Sequence, residues 1–199
     1  SATSPALTSA EDDGLFFRTA PSDAREGEVM ADILTEKGVK SIALTYSNTD
    51  YGKGLAESFA AAFTAKGGAV TVSAPHEDGK ADYSAEVATL ASAGGEMLVV
   101  AGYVDQGGKA MIQASLGTGA FSTFYLVDGM YGESLIEAIG APPSQLDGDA
   151  EMKVGTDPLI GMKPLFELVL RHVPPPQVED GPFRLLGTIL ERSEERRVG

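Results

Sequence analysis

Between Leu15 and about Gly140, short apolar runs alternate with longer segments that repeat at helical spacing, and this rhythm restricts the fold more than any other feature. Strand, amphipathic helix, strand is how the βα units of a parallel sheet read. The run Met97-Leu98-Val99-Val100-Ala101 is apolar without alternation, as a strand covered on both faces requires. The expected fold is therefore α/β, a parallel sheet inside a three-layer α-β-α arrangement. The spacing predicts helices over 22–37, from a cap at Asp50 onward, and over 82–93, 105–116 and 132–139. Strands are expected over 39–46, 69–73, 97–101 and 121–127. Leu55, Phe59, Ala62 and Phe63 mark the buried face of the second helix, which Gly67-Gly68 ends.

After Gly140 the rhythm fails. Ala141-Pro142-Pro143-Ser144 reads as the start of a linker over 141–160, and prolines recur at 158, 164, 174–176 and 182. Only Leu165 to His172 reads as helical there, and Phe183 to Leu190 as a strand. Residues 192–199 form a charged tail with almost nothing to bury, which predicts disorder.

The charge narrows the partners. Acidic residues number 29 against 15 lysines and arginines, a net charge of -14. Such a surface repels nucleic-acid phosphates and anionic lipid, so neither is an expected partner. No apolar run approaches the roughly 18 residues of a membrane span, so no direct membrane insertion is expected. With no cysteine, disulfides and thiolate chemistry are unavailable. His76 and His172 have no companions at metal or triad spacing, and solvent exposure is expected for both. No Gly-x-Ser-x-Gly elbow occurs, and neither Gly52-Lys53-Gly54 nor Gly107-Gly108-Lys109 completes a phosphate-binding loop. The expectation is a protein that catalyses nothing and holds no cofactor or metal.

In an open parallel sheet, ligands sit beyond the carboxyl ends of the strands. Right-handed crossovers bring the loops after the first, third and fourth strands to one edge. Those loops carry Tyr51, Tyr103 and Asp128. Two rings and one carboxylate suit a small ligand with an ammonium group and an apolar body: Asp128 would pair with the ammonium, and the tyrosines would flank the body. The plainer reading is that Tyr51 starts a helix and Asp128 caps one. Their shared edge argues for the ligand.

At these loops the chain resembles the branched-chain amino-acid binding proteins, the periplasmic type I solute receptors of ABC importers. Ser1-Ala-Thr-Ser-Pro-Ala-Leu-Thr8, Phe17-Arg-Thr-Ala-Pro-Ser-Asp23, Asn48-Thr-Asp-Tyr-Gly-Lys-Gly54, Ala101-Gly-Tyr103 and Asp128-Gly-Met130 carry the likeness, in family order, over about 140 of 199 residues. The resemblance implies a two-lobed receptor that closes on its ligand and works outside the cytoplasm, in the periplasm or at the cell surface, beside an ABC permease. Ser1 and Thr3 are similar to the first-lobe groups that hold the ligand's carboxylate and ammonium. Tyr51 and Tyr103 are similar to the second-lobe aromatic wall, and Asp128 to the acidic anchor, where the longer glutamate also occurs. On this reading 1–13 is a remnant of a first lobe otherwise missing from the chain, and 14–140 is a ligand-binding lobe. The same domain type also serves as the sensory module of receptors. Residues 161–191, with Pro164-Leu-Phe-Glu-Leu-Val-Leu-Arg-His-Val-Pro-Pro-Pro176, instead resemble a segment of TypA/BipA-type translational GTPases, without their nucleotide-binding motifs. A fusion of unrelated fragments, joined between about 148 and 161, is the expectation that follows.

Overall fold

The computed structural model describes residues 2–139 and, beyond them, the strand segments 152–155 and 165–168. Five helices are described: α1 (Asp23–Glu36), α2 (Asp50–Ala65), α3 (Ser84–Ala93), α4 (Lys109–Thr118) and α5 (Glu133–Ala138). They alternate with strands β1 (Ser41–Ser47), β2 (Ala69–His76), β3 (Leu98–Ala101) and β4 (Phe124–Leu126), and β5 (Met152–Gly155) and β6 (Leu165–Leu168) follow. The strand order is β2-β1-β3-β4-β6-β5, parallel through β4. Helices α1 and α2 pack on each other, as do α3 and α4. Because the chain passes from β1 outward to β2 and then back across β1 to β3, right-handed crossovers put these two pairs on opposite faces. The α/β, three-layer expectation holds.

The core lies where apolar side chains from both layers meet the sheet. All four residues of β3 are buried, as the unbroken apolar run requires. Phe59 and Phe63, one turn apart on α2, are fully buried with ring centroids 5.7 Å apart. Burying each such ring stabilises the fold by about 1.5–3 kcal/mol. Gly27 on α1 brings the two helices close: a Cβ there would lie 2.7 Å from the Phe59 backbone nitrogen. Helices α1 and α4 are followed by Gly38 and Gly119 at φ 78° and 68°, the left-handed geometry with which glycine ends a helix.

Four expectations are corrected. The cap of α2 is Thr49, whose Oγ1 accepts from the Gly52 backbone N–H at 3.1 Å, and Asp50 is already the first helical residue. Neighbouring cap-forming residues compete for this role, and extended backbone angles fall to Thr49 (φ -130°, ψ 162°). His76 is not in a solvated loop: it is the last residue of β2, 1% exposed, because pairing with Ser47 of β1 carries the strand three residues past Ser73. Leu165–Leu168 is a strand and not the start of a helix. It pairs antiparallel with β4, Tyr125 opposite Glu167, and an open sheet edge supplies hydrogen bonds that local periodicity cannot reveal. The predicted linker over 141–160 contains β5, which pairs antiparallel with β6. His172, the predicted strand at 183–190 and the tail at 192–199 lie outside the described residues, as does Ser1.

Candidate functional site

The strand order reverses between β1 and β3, since their crossovers leave in opposite directions. This is the switch point of the sheet, where the following loops part and leave a crevice. Tyr51 enters it from the first turn of α2, after β1, and Tyr103 from the residue before a kinked turn over Val104–Gly108 that follows β3, in which Gln106 and Gly107 leave helical backbone angles. Asp128 opens a short 3-10 turn, Asp128–Met130, after β4. It does not cap α5, which is preceded by Gly132.

The three side chains meet. The Tyr51 hydroxyl donates to Asp128 Oδ1 at 2.7 Å, and the Tyr51 and Tyr103 ring centroids lie 4.9 Å apart with planes tilted by 33°. Burial, first of all, pushes the pKa of the Tyr51 phenol well above its ordinary value, and the nearby charges of Glu26 and Asp128, the hydrogen bond to Asp128 and Tyr103 push it up further. The phenol therefore stays a hydrogen-bond donor at any physiological pH, and it holds the Asp128 carboxylate in one orientation. Tyr103 keeps a partly exposed face, at 39%. The arrangement offers an oriented carboxylate beside an aromatic wall open on one side, which suits an ammonium group on an apolar body.

The amino-terminal stretch is tied to the same rim. The Thr3 carbonyl accepts from the Asp23 N–H at 2.9 Å, at the start of α1, and Thr3 is buried. Arg18 fastens the following turn, Pro5–Thr8, by donating to the Ser4 carbonyl and to Thr8 Oγ1. Thr3 is thus placed near the helix whose Glu26 acts on Tyr51.

Reasoning from sequence missed Asp23 and Glu26, which are 0% and 6% exposed. Acids in a helix's first turn ordinarily complement its dipole in solvent. The signal that finds them is periodic: Asp23, Glu26, Gly27, Met30 and Leu34 form one buried stripe, with carboxylates continuing an apolar line. Among the described residues no cluster of three or more His, Cys, Asp and Glu could hold a metal ion. No helix among them is long and apolar enough to cross a membrane.

Comparison with known proteins converges on the same architecture. Residues 1–148 match the periplasmic binding protein family model. A Leu/Ile/Val-binding protein homolog 3 from Brucella melitensis is 41% identical over 112 residues, covering 54% of this chain and 29% of that protein. Among solved structures, an extracellular ligand-binding receptor from Rhodopseudomonas palustris aligns over 69% of this chain and 38% of its own, with TM-score 0.62 and 18% identity. A branched-chain amino acid ABC transporter protein from Thermus thermophilus, with bound valine, aligns over 69% and 36%, with TM-score 0.61 and 15% identity. The chain thus spans under two fifths of the length of these relatives. These structural likenesses speak for the fold. The family match takes in β1 to β4 and all three loops that meet at the switch point, so this chain belongs to the periplasmic binding protein family.

Proposed function

We propose that the chain is part of an extracytoplasmic solute-binding protein of an ABC importer, which binds a branched-chain or similar amino acid and catalyses no reaction. The observation that carries this reading is the Tyr51–Asp128 hydrogen bond beside the Tyr51–Tyr103 ring pair, at the sheet's switch point. Asp128 would receive the ligand's ammonium, and the two tyrosines its apolar body. Thr3, with Ser1 before it, would hold the carboxylate and ammonium from the other side. The named relative from Brucella melitensis supports an amino-acid ligand, and the family supports a permease partner and a place in the periplasm or at the cell surface.

The test is calorimetry with leucine, isoleucine, valine and other small amino acids. In a two-lobed parent carrying this lobe, Asp128→Asn should weaken binding by about 2–5 kcal/mol, the cost of removing one partner of a buried charge pair. An unchanged affinity would remove Asp128 from the site. Intact pockets bury about 70–90% of a small ligand, and a single lobe contributes about half of that, so the isolated chain should bind far more weakly than the parent. Micromolar binding by the isolated chain would contradict that argument. A sensory role for the same lobe is the alternative, and neighbouring permease and ATPase genes would favour transport.

For the remainder, the proposal is a foreign origin of 161–191. It rests on the likeness of Pro164-Leu-Phe-Glu-Leu-Val-Leu-Arg-His-Val-Pro-Pro-Pro176 to the TypA/BipA segment, beyond the residues 1–148 that the family model matches. A single uninterrupted gene across 148–161 in an independent clone would defeat it.

A further inference from the structure

We propose that Gly129 is a positioning residue of the half-site, setting the separation of the Tyr103 ring and the Asp128 carboxylate by letting two loops touch backbone to backbone. A Cβ at 129 would lie 2.2 Å from the Gly102 carbonyl oxygen, and 3.0 and 3.2 Å from Cδ1 and Cε1 of Tyr103. The first distance is far inside van der Waals contact. On its other side Gly102 meets the end of β1: a Cβ at 102 would lie 3.1 Å from Ser47 Cβ and 3.2 Å from Ser47 Oγ. The carboxyl ends of β1, β3 and β4 are therefore drawn together along one line, Ser47–Gly102–Gly129. Neither glycine has a positive φ, so space and not backbone handedness demands the missing side chain.

The consequence falls on the side chains next in sequence. Tyr103 follows Gly102, and Asp128 precedes Gly129. A methyl group at 129 has to push the two loops apart, and the tightest contact is with a carbonyl oxygen, which no rotamer change relieves. The displacement opens the 4.9 Å ring pair or the 2.7 Å Tyr51–Asp128 hydrogen bond. The link to affinity rests on the ligand site proposed above, whereas the link to ring geometry does not.

The experiment uses the full chain with Gly129→Ala, the milder Gly102→Ala, and Gly117→Ala as a control whose added Cβ meets nothing within 4 Å. Nuclear Overhauser contacts between the Tyr51 and Tyr103 rings are recorded without ligand, and each protein is then titrated with L-valine. The expected result is a weakened ring–ring contact in a folded Gly129→Ala chain, a smaller change in Gly102→Ala and none in Gly117→Ala. Affinity for L-valine should fall by about threefold to tenfold in Gly129→Ala, the equivalent of one lost aromatic contact. Unaltered ring contacts in folded Gly129→Ala would overturn the inference. Should that variant not fold, unaltered ring contacts in Gly102→Ala would do the same. Altered ring contacts with no L-valine binding, even to the unsubstituted chain, would uphold the positioning role; the amino-acid site itself is then tested by L-valine calorimetry on a two-lobed parent, where absence of binding would count against it alone.

Discussion

Acidification from pH 7 to pH 5 should destabilise the fold through His76, and the size of the effect follows from where the ring sits. His76 ends β2 at 1% exposure, with Nδ1 hydrogen-bonded to Thr45 Oγ1 at 2.9 Å. Burial disfavours the charged ring and pushes its pKa from 6.5 down to about 4, against the opposing pull of the Gln106 backbone and of Glu77, Asp78 and Glu86. The unfolded chain takes up the proton near the ordinary value, whereas the folded chain resists until about pH 4. Between these values the unfolded state binds more protons, so stability is complete above pH 6.5 and is lost as pH falls. At about 1.4 kcal/mol per pH unit, the loss is roughly 2 kcal/mol by pH 5 and about 3 kcal/mol by pH 4. Other carboxylates also titrate in this range, so the assay is a difference. Urea denaturation of the unsubstituted chain and of His76→Gln at pH 7, 6 and 5 isolates the histidine. His172 is common to both proteins and cancels. The stability gap between the two should shrink by roughly 2 kcal/mol from pH 7 to pH 5. A gap that stays constant with pH would refute the reasoning, since it would mean that the ring titrates alike in both states.

Three further outcomes test the packing. Phe59→Ala removes a fully buried ring of α2 from the core and should cost about 3–5 kcal/mol in chemical denaturation. Thr49→Ala deletes the α2 cap and should cost about 1 kcal/mol; no loss would mean that Asp50 takes over the role. Gly117→Ala lies inside α4 with open space around it and should raise stability by about 0.5–1 kcal/mol, read as a higher Tm.

The parts of the fold written in local pattern were legible. The repeat Leu55, Phe59, Phe63 announces α2, and the unbroken Leu98–Ala101 run announces a strand covered on both faces. Parallel order then follows from handedness, and with it the meeting of Tyr51, Tyr103 and Asp128 at one rim. Apart from the α2 cap, where neighbouring residues compete, the misreadings share a physical cause, which is that pairing partners distant in sequence decided the outcome. His76 looks like loop beside Glu77-Asp78-Gly79, yet Ser47 holds it in the sheet. Leu165-Phe-Glu-Leu168 is too short for its period to decide between helix and strand, and the open side of β4 settles it. Glu26 was invisible as a site neighbour because its proximity to Tyr51 arises only when α1 packs on α2.

The helix-to-strand turns at Gly38 and Gly119 lie at the end of the sheet opposite the tyrosines, and a side chain there would meet nothing within 4 Å. Those two turns ask only for a backbone handedness, not for a shape. A tether, an epitope or a fluorescent reporter inserted next to either turn would leave the rim that carries Tyr51, Tyr103 and Asp128 untouched.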